Sequence, residues 1–517
     1  MPNYRGNEKQ DLMIPVCLDD QLVPGTIEHA INWIVDYEID TSVFDAAYHN
    51  DHGGRSAYDP AALVKIILCA YSNGILSSRK IEEACRTNVV FMALSGDIRP
   101  DHATIARFVT GHPAAIRHVF RDVLMIAAQG DLIGGEVFAL DGCRISSNAA
   151  REHAGTQREL KKKMAKLEAR LEAMLCTHRD TDEQHDPDDD EPDGPGSGGV
   201  HRYRARIDRI TGFLDTHPPR IGTSGREVKA NITDTESATL KSGSGSLQGY
   251  NALAMVDAKH QIVLHAEPVG QIHEAPLLPR MVRRSLHTLR RFAHPQARTP
   301  TILADTSYFT EANARFLIDS QLDGYIPDHQ FRNRDIRFAE PGCMGEQQSE
   351  RIATSRSRAR RAAHRRFTHV DFLYQSDCDT YRCPAGNELR RRTREVVAGR
   401  RGTRYEAQRS DCSACALAAR CLIRTATRRR LFRGDGPVGT YAQQMRERID
   451  TERGRRMYAR RMGIVEPVFA NITATKGMRR FTLRGRAKVR IQWLLYTLVH
   501  NIEKIATTGL IHRLIEA

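Results

Sequence analysis

The sequence has no long apolar run. No stretch of its 517 residues approaches the roughly 18 apolar residues that a membrane-spanning helix needs. The polar start, Met1 to Lys9, does not resemble a signal peptide. The 11 cysteines are odd in number and spread over a long chain. A reducing cytoplasm is therefore expected, with thiols free or metal-bound rather than paired. The acidic run over 181–199 lacks the central Gly and closing Glu of a calcium-binding EF-hand loop, so calcium is not expected there. Its Pro, Gly and Asp content reads instead as a mobile loop between two helices, near 155–180 and 200–214.

What is abundant is positive charge. Lys and Arg number 77 against 63 Asp and Glu, a net charge of +14. An excess of that size points to a polyanionic partner, with nucleic acid first among them. From Tyr58 to Phe120 the apolar spacing is helical, with Asp59-Pro60, Ser77 and Asp101 as helix starts. Short helices joined by short turns fit either a helix-turn-helix DNA binder or an ordinary helical packing domain.

An α/β pattern follows. Val137–Ile145 is an apolar strand carrying Asp141, and Thr301–Asp305 repeats the motif of a short greasy run ending on an acid. Between them, 250–257 and 261–268 read as a hairpin, and 275–292 as a basic helix. Asn231–Glu236 and Gly324–Pro327 read as further strands. A single acid, Glu466, sits in an apolar helical segment that follows from about 441, and 491–505 is an amphipathic closing helix in which Trp493 packs. An acid at the end of an apolar strand is costly to bury unless compensated. The plain reading of one such Asp is a solvent-facing strand end. Two of them with a helical Glu are what a divalent-cation phosphoryl-transfer site requires, since hard oxygens hold Mg²⁺ or Mn²⁺.

Between 330 and 440 the periodicity gives way to basic sequence. Arg351–Arg366, with seven Arg and a His, reads as a phosphate-contacting arm or a solvated segment. The same region holds Cys383, the pair Cys412 and Cys415, and Cys421, a spacing that suits a structural Zn²⁺ site. Free buried thiols are the alternative, and Cys378 is close enough to substitute as a ligand. Lys476, Arg479, Arg480, Arg484, Arg486 and Lys488 form a basic stripe that reads as a grip on a DNA backbone or as a solvated face.

Taken together, Ser77–Glu82 with Pro100–Ile105, Ala139–Gly142, Gly249–Asn251 with Val256-Asp257, Ala304–Tyr308, the cysteine insert, Tyr458–Ala470, Arg480–Gly485 and His500-Asn501 resemble the DDE transposases of bacterial insertion sequences. The group concerned has an N-terminal helical DNA-binding domain and a Cys-bearing insert. The resemblance covers most of the chain outside 150–225 and 335–370. It implies an α/β, RNase H-like mixed sheet flanked by helices, an all-α N-terminal domain and a small Cys-rich, zinc-holding insert. The corresponding domains are 1–130 (helical), 131–335 (catalytic, with an insert at about 150–225), 336–440 (basic, Cys-rich) and 441–517 (helices carrying Glu466).

The resemblance further implies Asp141, Asp305 and Glu466 as catalytic acids on Mg²⁺ or Mn²⁺, cleavage at terminal inverted repeats, strand transfer into target DNA, and a nucleoid-associated homo-oligomer, at least dimeric on DNA. Asp141 would lie on the first strand of the sheet and Asp305 on the fourth. The sequence departs from the related enzymes at Thr473, where many of them have Lys or Arg. Two alternatives are a DNA-binding protein with a vestigial fold and a metal-dependent nuclease without strand transfer. An RNA binder is disfavoured by the absence of aromatic-rich strand motifs.

Overall fold

The computed structural model describes residues 17–48, 56–182, 197–222, 225–242, 245–271, 273–292, 299–331, 367, 371–375, 377–397, 400–422, 426–434 and 440–516. The basic segment 351–366 and most of the acidic run lie outside them. The chain divides into two compact units, one comprising 1–326 and 452–517, the other 327–451.

The first unit opens with six helices: α1 (Ile27–Tyr37), α2 (Pro60–Ser72), α3 (Ser78–Thr87), α4 (Val89–Ser95), α5 (His102–Gly111) and α6 (Pro113–Gln129). Their starts are set locally. The Asp59 carboxylate accepts the Ala61 N–H at 2.9 Å with Pro60 in the first turn, and Asp101 accepts from Ala103 and Thr104. These contacts satisfy N–H groups that a helix cannot pair internally. Ser77 takes the N-cap position of α3 without a side-chain hydrogen bond.

A six-stranded mixed sheet follows. Its strands are β1 (Val137–Ser146), β4 (Ala238–Ser242), β5 (Gly245–Asp257), β6 (Val263–Val269), β7 (Thr301–Ala304) and β8 (Asp323–Tyr325), in the order β4-β5-β1-β7-β8, with β6 also paired to β5. The two-residue strands β2 (Ala154–Gly155) and β3 (Ala230–Asn231) pair with each other instead. The strand expected over 231–236 is thus reduced to its first residue. Asn231 Oδ1 accepts the N–H groups of Thr233 and Asp234, turning the chain there. β1 is antiparallel to β5 and parallel to β7, and β7 is parallel to β8. Gln248 to Asp257 are all buried, which explains why β5 reads as a continuous apolar run without alternation.

Helices α7 (Gln157–Asp182) and α8 (Ser197–Thr216) pack together on Leu160, Leu167, Ile210 and Phe213. The basic helix expected over 275–292 is α9 (Leu278–Arg291), and α10 (Glu311–Asp319) precedes β8. The unit is completed by α11 (Glu452–Ala470), α12 (Arg486–Thr507) and α13 (Leu510–Glu516). The helix expected to run unbroken from 441 ends at Asp450, and a new one starts at Glu452.

α12 is the keystone of this unit. Trp493, Tyr496, Val499 and Ile502 are fully buried, and the Trp493 indole N–H donates to the Leu253 carbonyl at 2.9 Å. It packs on β6 and on α1, α2 and α6 as well. The N-terminal helices and the sheet therefore share one core.

The second unit contains an antiparallel sheet ordered Arg430–Gly434, Arg400–Ala407, Glu388–Val397, Thr380–Arg382, Leu373–Gln375. No strand was expected in this region. Its strands bury one face only. Leu389 is buried while Arg390, Arg391, Arg392 and Arg394 are exposed, so the alternation is hidden under charge.

Candidate functional site: acids on neighbouring strands

In the parallel pairing of β1 with β7, Leu140 stands opposite Ala304. The residue that follows each is an acid, so Asp141 and Asp305 stand side by side, on strands about 4.8 Å apart. Asp305 lies just past β7, but β1 does not end on Asp141 as its apolar run suggested: it continues to Ser146, paired with β5. Asp141 is half-buried. Its Oδ1 accepts the Gly142 N–H at 2.8 Å, and its Oδ2 accepts from the Arg461 guanidinium at 2.7 Å. Burial raises the Asp141 pKa, Arg461 and the Gly142 N–H oppose that rise, and the Asp305 charge adds to it. Asp305 uses one oxygen to cap the turn after β7, accepting the Ser307 N–H at 2.8 Å.

A third acid reaches this pair from the turn before α9. Glu274 is buried and accepts from the Tyr308 hydroxyl at 3.0 Å and from the Asn251 side chain. Burial raises its pKa, and the charges of Asp305 and Asp141 raise it further. Asn251 is 1% exposed, and its Oδ1 lacks a hydrogen-bond partner among the described residues. Gly142 is required beside it, because a Cβ there would come within 2.6 Å of both Asn251 Oδ1 and Leu253 Cδ2.

Sequence reading missed Glu274, Asn251 and Arg461. The motif Gly249–Asn251 contains one of them, but nothing local says that the buried Asn faces two acids more than 50 positions away on either flank of the hairpin.

Glu466 lies on α11, which packs across β1 and β7. At about 100° per residue, Arg461, Val465 and Val468 share the face turned to the sheet, while Glu466 stands about 140° around from Arg461. Its side chain is exposed. Asp141 and Asp305 are thus brought together, Glu274 adds a third charge, and Arg461 on α11 pairs with Asp141. Among the described residues no three His, Cys, Asp or Glu stand in metal-holding geometry.

The basic stripe does not act as one surface. Lys476 is 2% exposed and pairs with Glu503 at 2.9 Å, so it is a core ion pair and not a backbone contact, a correction to the expected stripe. Arg480 donates to the Ser147 carbonyl and the Asn148 side chain, and Arg484 to the Asn148 carbonyl, tying this loop to the end of β1. Arg479 and Lys488 are exposed. Thr473, at the position where related enzymes often carry a cation, donates to the Phe469 carbonyl at 2.7 Å.

In the second unit, Cys383, Cys412, Cys415 and Cys421 line one small cavity, of about 20 Å³. Burial and the three neighbouring thiols raise the Cys421 pKa, while Arg429 lowers it. The Cys415 sulfur accepts the Leu417 N–H at 3.4 Å, as a knuckle sulfur does. These thiols suit Zn²⁺ by donor chemistry but are not in ligating geometry.

Two family models match the chain: Transposase DDE domain over 382–506 and Transposase domain (DUF772) over 16–111. Both describe transposases, a class of DNA-processing proteins. The resemblance to DDE-type transposases of insertion sequences is thereby borne out, at the N-terminal helices and along the segment that includes Glu466. Asp141 and Asp305 lie outside both matched stretches. No curated protein matches the chain.

Proposed function

We propose that the protein is an insertion-sequence transposase that cleaves DNA at the ends of its element and joins those ends to target DNA. The observation that carries this reading is the β1–β7 register, which sets Asp141 beside Asp305 in a chain matched by two transposase families. The strand order β6-β5-β1-β7-β8, antiparallel up to β1 and parallel after it, supports an RNase H-like sheet.

The residues present fit a divalent cation by chemistry. Two hard carboxylates adjoin and repel, a third lies behind them, and a guanidinium now supplies the positive charge that this cluster needs. Asp141 and Asp305 would hold the metal; Glu466, the third catalytic acid that the resemblance implies, is exposed on α11 and would have to turn toward them to join. When bound, Mg²⁺ or Mn²⁺ activates the attacking oxygen and stabilises the leaving one.

Arg461 holds α11 against β1 through Asp141, and its withdrawal to a DNA phosphate would free Asp141 Oδ2. Glu274 keeps Asn251 and Tyr308 ordered behind the pair. The wall formed by Leu140, Leu253 and Ala304 keeps water from the far side of the acids. In the second unit, zinc on the four thiols would staple a sheet whose buried core contains only six residues.

The test is cleavage and joining of DNA carrying the element's own ends, in Mg²⁺. Asp141→Asn and Asp305→Asn are each expected to lose at least about a thousandfold in cleavage rate, or about 4 kcal/mol of transition-state stabilisation, while still binding end DNA. Glu466→Gln is expected to do the same with an unchanged melting temperature. Cleavage by Asp141→Asn at the wild-type rate would sink the reading. Cleavage without joining by the wild type would favour the nuclease alternative.

A further inference from the structure

Three helices of the first unit turn basic faces onto one cavity away from the acids. Arg284, His287 and Arg291 recur along α9, Arg117 and Arg121 along α6, and Arg490 lies on α12. With the edge strand β6 at Leu264–Ala266, they enclose a space of about 270 Å³ over an apolar floor that includes Phe120, Leu124 and Leu494.

No carboxylate lines this cavity. Glu267, which follows Ala266 on β6, is already taken by Arg280 at 3.0 Å and Arg486 at 2.8 Å and lies 4.0 Å from His265 Nε2. Arg121 lies 3.6 Å from Asp122. Arg117, Arg284 and Arg490 have no carboxylate partner among the described residues. Burial, together with the charges of Arg284, Arg117 and Arg486, holds the Arg490 pKa below its usual range, against the opposing pull of Glu267. His265 Nε2 is buried without a hydrogen-bond partner among the described residues.

Like charges gathered over an apolar floor repel one another strongly in a medium of lowered dielectric, and an anion relieves them. Guanidinium forks match phosphate oxygens, two N–H groups at a time. The extent of the row says what kind of anion fits. Arg284 and Arg291 lie seven residues apart on α9, about 10 Å along its axis. One small anion does not span that length. A nucleic-acid strand, with a phosphate about every 3.4 Å along the duplex axis, does.

We propose that this cavity grips the sugar–phosphate backbone of duplex DNA, a second contact surface built on elements other than those that carry the acids. The inference rests on the transposase reading for the identity of the polyanion.

The test uses the full-length chain and a fluorescent duplex bearing the element's ends, titrated over a range of salt. Arg117 and Arg284 are exposed, so Arg284→Gln and the double variant Arg117→Gln/Arg284→Gln are expected to keep the wild-type melting temperature. The double variant is expected to bind about tenfold more weakly at low salt. Its plot of log affinity against log salt should be shallower by about 0.9 for each arginine removed.

Equal affinity and slope for wild type and double variant would overturn the grip and leave the transposase reading standing. A wild type that binds no DNA would overturn both. Inorganic pyrophosphate forms the last arm. If it raises the melting temperature of the wild type but not of the double variant, and does not displace duplex, the cavity is a small-anion site and the assignment to DNA falls.

Discussion

The two units of this chain hold their chemistry in opposite ways. The first, 1–326 with 452–517, sets a few polar groups in a large dry core. Asp257 is fully buried yet accepts the N–H groups of Gly134, Gly135 and Lys259, and Asn501 clasps Val263 with both ends of its amide. In the second, 327–451, the sheet studded with arginine covers one cluster of six buried residues among those described, beside four thiols around one cavity. A large core can hold a repelling acid pair in register. A thin one cannot carry its own fold as easily, which is where a cross-link contributes most.

If the four thiols hold zinc as proposed, removing it should separate the units most sharply. A strong zinc chelator is expected to abolish the melting transition of 327–451 and leave that of the larger unit in place, read by calorimetry, with about one zinc released per chain. A chain that carries no zinc as isolated, and melts identically with and without chelator, would remove zinc from the account. Next in size is the core itself. Trp493→Ala is expected to cost the larger unit about 3–5 kcal/mol in denaturant unfolding, since it empties a fully buried site and orphans the Leu253 carbonyl.

Acid should also act on the larger unit. Burial pushes the His500 pKa down to about 4, and the ring sits neutral, with Nδ1 accepting from Asn471 and Nε2 donating to the Gln261 carbonyl. The folded state resists a proton that the unfolded state takes up near pH 6.5. Stability from this group is therefore complete above pH 6.5 and declines as pH falls toward 4, by up to about 3 kcal/mol. His500→Gln should flatten that decline in a melting series from pH 7 to pH 4.

The smallest effect distinguishes two lysines of the basic stripe. Lys476→Met is expected to destabilise by about 2 kcal/mol because it removes the buried cation beside Glu503 and leaves that carboxylate the Asn471 amide alone, whereas Lys488→Gln should stay within about 0.5 kcal/mol. Equal values for the pair would mean that Lys476 is not the buried partner seen here.

How much of this was legible in the sequence varies with the range of the interaction. Asp59-Pro60 and Asp101 announced their helices, because a cap acts over two or three residues. The strands β1 and β7 were legible from their apolar runs, and so was the acid that follows each run, but the continuation of β1 past Asp141 to Ser146 was not, because only its pairing with β5 sustains it. The sheet of 373–434 was not, since its exposed arginines mask the alternate buried positions. Within the site, Asp141 and Asp305 could be named from sequence, whereas Glu274 could not. His273-Glu274 looks like any polar turn until the fold tucks it under Tyr308.

Local periods, the acids that follow two apolar runs, the cluster of cysteines and the excess of positive charge are all properties of the linear chain. Which of these groups meet was settled by folding. It joined Asp141 to Arg461 across 320 positions, buried Lys476 against Glu503, and turned the arginines of α6, α9 and α12 onto one cavity. The physical reason is that a period of 2 or 3.6 residues sets which face a side chain takes, while register and packing between distant segments set what that face meets.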